Sequence, residues 1–251
     1  MMNLFRLKKV YFFFATVFVF ILHFPFAFSK STAFDLSAAM VTKDNSTLAT
    51  ESNFSMRMEM LYDSLQLDEK GLSPEAFDMA VEGYEKLLSA KKIKREGVIS
   101  IADFSKSSAE KRFFVLDLEQ CKILFQTYVA HGRNTGGEFA KYFSNRPESF
   151  QSSLGFYLTE DTYQGKNGFS MQLSGLEPGI NDKARQRAIV MHGASYANES
   201  FIRHRGYLGR SQGCPALPEK MNKPIIQKIK NGTCLFIFGK DKNYSNQSKL
   251  I

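Results

Sequence analysis

The polar and apolar positions of this chain change rhythm twice. After a polar stretch, "SMRMEMLYDSLQL" places Met58, Leu61 and Leu65 at helical spacing, and "SPEAFDMAVEGYEKLLSAKK" repeats the rhythm with Phe77, Ala80, Tyr84, Leu87 and Leu88. The second run carries its own start signals, with Ser73 as cap and Pro74 at the first helical position. Both stripes read as docking faces. Beyond Glu96 the spacing shortens to β-type runs: "VISIADF", "RFFVLDLE", "KILFQTYVA", "SSLGFYLT", "RAIVMHG" and "CLFIFG", parted by Gly, Asn and Lys. One further helix, "PEKMNKPIIQKIKNG", is expected to start at Pro218, break at Pro224 and end at Gly232. The pattern predicts a mainly β, α+β domain over 96–240, preceded by a helical segment over 54–95 and followed by a polar tail, 241–251.

The N-terminal end follows a different logic. A basic start with Arg6, Lys8 and Lys9, an apolar run from Val10 to Phe28 and the small-residue pattern Ala27-Phe28-Ser29 make a secretory signal over 1–29, cleaved after Ser29. The run is also long enough for a retained anchor, and residues 10–28 are the one segment expected to tether the protein to a membrane. Residues 30–53, rich in Ser, Thr, Ala and Asn, read as a flexible linker. Either way the remaining chain is expected outside the cytoplasm, in the periplasm.

Composition supports a packed domain: 43% of residues are hydrophobic, with 24 Phe and 10 Tyr among 251. The formal charge is +8, and residues 151–240 hold twelve Lys or Arg against six Asp or Glu, so much of the excess lies there. A basic surface suits an anionic polymer. No arginine-rich tract or nucleic-acid motif accompanies it, and no nucleic-acid partner is expected.

Three cysteines, Cys121, Cys214 and Cys234, leave at least one thiol unpaired in a monomer. Cys121 and Cys234 each open an apolar β-run, so any disulfide is expected between those two. Cys214 differs, since "GRSQGCPALP" sets it between Gly213 and Pro215, which biases it towards an extended backbone outside any helix. About twenty residues earlier an apolar run delivers His192 to Gly193, as a base would be delivered at a strand end. A cysteine attacks as its thiolate, and an adjacent imidazole can take the proton and balance the charge. A zinc site is set aside because neither C-x-x-C nor H-E-x-x-H occurs, so no metal and no cofactor are expected.

"HGASY" and "GRSQGCPALP" together resemble the catalytic signature of the murein L,D-transpeptidase catalytic-domain family, of the YkuD-type fold. "VAHGRNTGGEFAKYFSNRPESFQSSLGFY", "YQGKNGFSMQLSGLEPGINDKARQRAIVMHG" and "IKNGTCLFIFG" extend the resemblance over about 95–240. It implies a YkuD-like β-sandwich or barrel, with Cys214 as nucleophile, His192 as general base and Gly193 orienting the imidazole. Backbone amides of Gly213 and Cys214 would form the oxyanion site. Arg210, Ser211, Gln212, Ser153 and Gly155 would contact substrate, although Ser153 and Gly155 equally fit a strand with a bulge. Gln212 stands where many family members carry a second His, and Pro215 and Ala216 stand where Arg or Asn is common. The implied partners are peptidoglycan stem peptides, joined by a monomeric enzyme into 3–3 cross-links. Trimming of stem tetrapeptides as an L,D-carboxypeptidase, or non-catalytic wall binding, are the alternatives.

Overall fold

The structure is a computed structural model and describes residues 47–251. The expected export signal, and all but the last residues of the linker, lie outside the described residues. Helix α1 (Thr47–Ser64) precedes α2 (Pro74–Ser89), and strands β1 (Val98–Asp103), β2 (Phe113–Asp117) and β3 (Lys122–Thr127) follow. Then come β4 (Gly155–Gly165), β5 (Gly168–Gly175), β6 (Val190–Ala194), α3 (Glu199–Arg205), β7 (Ala216–Pro218), α4 (Glu219–Ile229), β8 (Cys234–Phe238) and α5 (Lys242–Gln247). The strands form one eight-stranded mixed sheet in the order β3-β2-β1-β8-β4-β5-β6-β7. The fold is therefore mainly β with flanking helices, as the alternation of apolar runs predicts.

The chain's last strand holds the sheet's centre. β8 lies parallel to β1 and antiparallel to β4, and all five of its residues are buried, which explains a run as uniformly apolar as "CLFIF". The two N-terminal helices share this core. Met58, Leu61, Phe77 and Tyr84 are buried in one cluster with Phe156 and Phe236. Contact is close at Gly83, where a Cβ would fall 2.0 Å from the Phe156 ring, so only glycine lets α2 lie this near the sheet. Ser73 caps α2 through Ala76 N–H and donates its own hydroxyl to buried Asp103 at 2.7 Å, fixing the helix start to the end of β1.

Several expectations change. The helix read as broken at Pro224 runs unbroken from Glu219 to Ile229. Pro224 lies on the exposed face while Asn222, Ile225, Ile226 and Ile229 face inward, so the carbonyl it leaves unbonded can meet water. Strands β5 and β7 and helix α3 were not anticipated as elements. The expected polar tail forms α5, whose Tyr244 is buried against Glu177. The Cys121–Cys234 disulfide is absent: all three cysteines are free. Cys121 lies in the turn before β3, and β2 and β1 separate it from β8, a span of roughly three strand spacings or about 14 Å. A disulfide needs Cα atoms within about 7 Å.

Candidate active site

β6 and β7 run parallel at one edge of the sheet, with His192 aligned to Ala216. The same register continued two residues back sets Cys214, just before β7, beside Val190. Here the Val190 N–H and the cysteine's own amide both face the sulfur. The imidazole thus comes from β6 and the thiol from the segment that leads into its neighbour β7. Cys214 is 9% exposed and His192 5%, so both side chains are buried and neither stands on an open surface.

The imidazole's proton can be placed. Nδ1 lies 2.9 Å from the Gly193 carbonyl, which can only accept, so Nδ1 carries the hydrogen and Nε2 keeps a free lone pair. Burial lowers the His192 pKa from its ordinary value, partly opposed by that bond to Gly193, and favours the neutral ring. The Cys214 thiol donates to the Ala188 carbonyl at 3.8 Å, so in this state its proton rests on backbone and not on the imidazole. Burial pushes the thiol pKa up, while the Val190 N–H and the Arg187 charge pull it down. Both groups are neutral at rest, which is the starting state for transfer to a general base.

The loop before Cys214 is braced from within and behind. Gly213 has φ +119, a conformation that side chains rarely adopt. Its N–H donates to Ser211 Oγ at 3.0 Å, and that hydroxyl donates to the Cys214 carbonyl at 2.7 Å. The Gly213 amide expected at an oxyanion is therefore already engaged, and Ser211, expected to touch substrate, is a buried brace. Behind the loop runs 130–133: Ala130 exchanges backbone bonds with Ala216, Ser211 N–H donates to the His131 carbonyl, and Arg133 N–H donates to the Ser211 carbonyl. Ser152 completes the wall by accepting from Gly132 N–H at 3.0 Å and donating to the Gly213 carbonyl at 3.1 Å.

The other expected residues separate. Arg210 is exposed and donates to the Gly136 carbonyl at 3.1 Å, and Gln212 is exposed two residues before Cys214. Gly193 supplies the carbonyl that orients His192, and Asn222 of α4 packs on it. Ser153 is buried, donates to the Ser144 carbonyl and accepts from Arg187 Nη1 at 2.6 Å, so its hydroxyl is occupied by protein. Gly155 is no cleft residue: it opens β4 with φ +98, and a Cβ there would lie 2.1 Å from Glu177 Oε2. Its pairing with Ile237 of β8 is regular, and the irregularity of β4 lies further on, between Thr159 and Thr162.

Sequence reasoning missed three contributors. Arg187 spreads four hydrogen bonds over 144–153 and approaches the Gly213 loop. Asn222 anchors α4 to the Phe169 carbonyl while its buried Oδ1 has no hydrogen-bond partner. Arg112, fully buried, donates to His131 Nδ1 at 2.8 Å and stacks on Phe104, which makes His131 a structural histidine whose pKa falls to about 3 through burial and the arginine's charge. His204 is exposed on α3. None of the three carried a signal in the sequence, because the partners of each are brought to it only by the fold.

Among solved structures, the chain is similar to an L,D-transpeptidase from Mycobacterium smegmatis, 12% identical with TM-score 0.36 over 57% of this chain and 59% of that one. It is similar to the helical cell shape determining protein Pgp2 from Campylobacter jejuni, 15% identical with TM-score 0.39 over 60% and 49%. A third is an L,D-transpeptidase from Stackebrandtia nassauensis, 17% identical with TM-score 0.35 over 76% of each chain. The chain spans between about half and three fifths of the length of the first two. No curated protein matches it at a significant level. The family model for the L,D-transpeptidase catalytic domain matches residues 68–238, reaching back through α2 and taking in every strand of the sheet. The chain belongs to the L,D-transpeptidase catalytic domain family.

Proposed function

We propose that the protein is an exported cysteine acyltransferase that joins peptidoglycan stem peptides through a thioester on Cys214. The observation that carries the reading is the placement of His192 on β6 and of Cys214 just before the parallel neighbour β7, with the imidazole's Nδ1 tied to Gly193 and its Nε2 left to accept a proton. Family membership supplies the substrate class. The basic start and apolar run of residues 1–29 support export to the periplasm.

In the first half-reaction His192 Nε2 takes the thiol proton, and Sγ attacks the carbonyl at the L-centre of the third stem residue. The tetrahedral oxyanion collapses, the C–N bond to the terminal D-alanine breaks, and the imidazolium returns its proton to the departing amine. In the second, an amine of another stem attacks the thioester, His192 takes its proton, and Sγ leaves to be reprotonated. The product is a 3–3 cross-link. With water as acceptor, the same thioester would yield a tripeptide, so the acceptor and not the nucleophile separates transpeptidase from carboxypeptidase.

The test is product analysis with disaccharide-tetrapeptides. Wild type is expected to give dimers joined through position three, Cys214→Ala none, and His192→Ala acylation slower by at least about a hundredfold. A carbapenem should add its mass to wild type and not to Cys214→Ala, because the same sulfur attacks its carbonyl. Full activity in a folded Cys214→Ala protein would overturn the assignment, and free D-alanine with tripeptide as the sole products would move it to the carboxypeptidase.

A further inference from the structure

We propose that Arg187 is a positioning residue for the reaction of Cys214: a fixed cation without a carboxylate partner among the described residues, held under the nucleophile loop so that its charge favours the thiolate. The inference rests on the proposed role of Cys214 as nucleophile.

Placement comes first. Residues 183–189 form a helical turn closed by Arg187 N–H to the Lys183 carbonyl, Ala188 N–H to the Arg185 carbonyl and Ile189 N–H to the Ala184 carbonyl. That pairing ends a helix on a left-handed residue, and Ala188 has φ +52 where glycine is the usual choice. The turn directs the Arg187 side chain and the Ala188 carbonyl towards one neighbourhood. The carbonyl receives the Cys214 thiol, and Arg187 Nη2 lies 3.4 Å from where a Gly213 Cβ would stand.

Immobility comes next. Nη1 donates to the Ser144 carbonyl at 2.7 Å and to Ser153 Oγ at 2.6 Å, and Nη2 donates to Ser149 Oγ at 3.1 Å and to the Gln151 carbonyl at 2.6 Å. Those four bonds use all four Nη hydrogens. The guanidinium therefore acts on sulfur through its field and not through an Nη hydrogen bond. Every acceptor is neutral, and among the described residues neither ion pair, Lys86–Glu82 nor Lys94–Glu160, involves Arg187.

A cation half-withdrawn from water without a counterion is a cost that four neutral acceptors only partly offset. The titratable groups whose charge reaches Arg187 are Tyr157 and Cys214, both protonated near neutral pH. Around the thiol stand Arg187, the neutral His192 of β6, and Tyr196, whose own pKa is pushed up by burial and by Cys214. Of these groups only Arg187 is charged at rest. The site thus holds a positive charge whose natural complement appears when Cys214 loses its proton to His192. The same cation would stay in place through both half-reactions, favouring sulfur as attacking group and as leaving group.

The test is the pH dependence of Cys214 alkylation by iodoacetamide in the purified protein, followed by peptide mass spectrometry, for wild type, Arg187→Gln and Arg187→Lys. Arg187→Gln removes the charge, and the alkylation midpoint should rise by about one pH unit, so that the rate below both midpoints falls about tenfold. Arg187→Lys keeps charge and loses the planar fork, so it should be less stable to urea yet hold a midpoint close to wild type. A structural brace would reverse this ranking: an unmoved midpoint in folded Arg187→Gln overturns the proposal. Should Arg187→Gln fail to fold, a midpoint in Arg187→Lys raised by a full pH unit overturns it equally. Alkylation needs no peptide substrate, so a raised midpoint in Arg187→Gln together with a wild type that forms no carbapenem adduct would uphold the charge effect and reject the acyltransferase reading.

Discussion

Gly132 lies directly behind Gly213: a Cβ on Gly132 would stand 2.9 Å from the Gly213 Cα, 2.5 Å from the Phe150 carbonyl oxygen and 3.0 Å from the Ser152 nitrogen. All three neighbours are backbone, so no rotamer change can relieve the overlap. The nucleophile loop and its back wall meet at a distance only two glycines permit.

Gly132→Ala should therefore push the 211–214 loop away from the 150–152 wall. The expected stability loss is about 1–3 kcal/mol, the usual range for overpacking, read from urea unfolding. Cys214 alkylation should slow as well, because Arg187 and the Gly213 loop separate. Gly137→Ala is the control: nothing lies within 4 Å of its Cβ position, and it should stay within about 0.5 kcal/mol of wild type.

What the sequence made legible divides along physical lines. The six β-runs and the capped helix at Ser73 were readable because burial on a sheet and a helix start leave local marks. β7 is three residues long and β5 is bounded by its own glycines, so neither carries enough period to declare itself. Pro224 misled because its cost depends on which face of α4 it occupies, a property set by the sheet. In the site, Cys214 and His192 were visible from their Gly and Pro surroundings. Arg187 was not, since its partners Ser144, Ser149, Gln151 and Ser153 lie 34 to 43 residues upstream and meet it only in the fold. Ser153 and Gly155 show the converse: a motif places residues near a site without telling lining from bracing.

The docked C-terminus makes a second prediction. Glu177 is buried and accepts from Phe156 N–H at 2.7 Å, from Tyr244 OH at 3.2 Å and from Ser248 Oγ. Burial raises its pKa although all three donors oppose the rise. Replacing Tyr244→Phe and Ser248→Ala together keeps most of the packing and removes two donors, so the pKa should climb further. A carboxyl with a raised folded pKa favours folding at low pH and costs stability as pH rises from its unfolded value through its folded one. The double variant's deficit should thus be larger at pH 8 than at pH 5, about 2 kcal/mol or more at the higher pH. Urea unfolding at both values checks it, and an equal deficit would mean that lost packing alone explains the change.

Two buried histidines should divide the protein's acid behaviour between them. His192 must be neutral to accept the thiol proton, and burial lowers its pKa below the ordinary value of about 6.5. The acid limb of acylation should accordingly lie below pH 6.5, with activity flat above it and falling as the ring protonates. His131 touches no reacting atom, yet its folded pKa is lowered to about 3 while the unfolded chain protonates it near 6.5. As pH falls through 6.5 the unfolded state binds the proton and the folded state does not, so stability is full above that value and is lost progressively towards about 3. At pH 5 the loss from this residue should be about 2 kcal/mol relative to pH 8. His131→Asn can still accept from Arg112 through Oδ1 and does not titrate, so it should flatten the stability profile while leaving the acid limb of acylation in place. His192→Ala should do the opposite, abolishing the limb and leaving most of the stability slope. Urea unfolding and carbapenem acylation measured on the same pH series would separate the two, and a His131→Asn variant that moved the limb would assign His131 to the reaction and not to the fold.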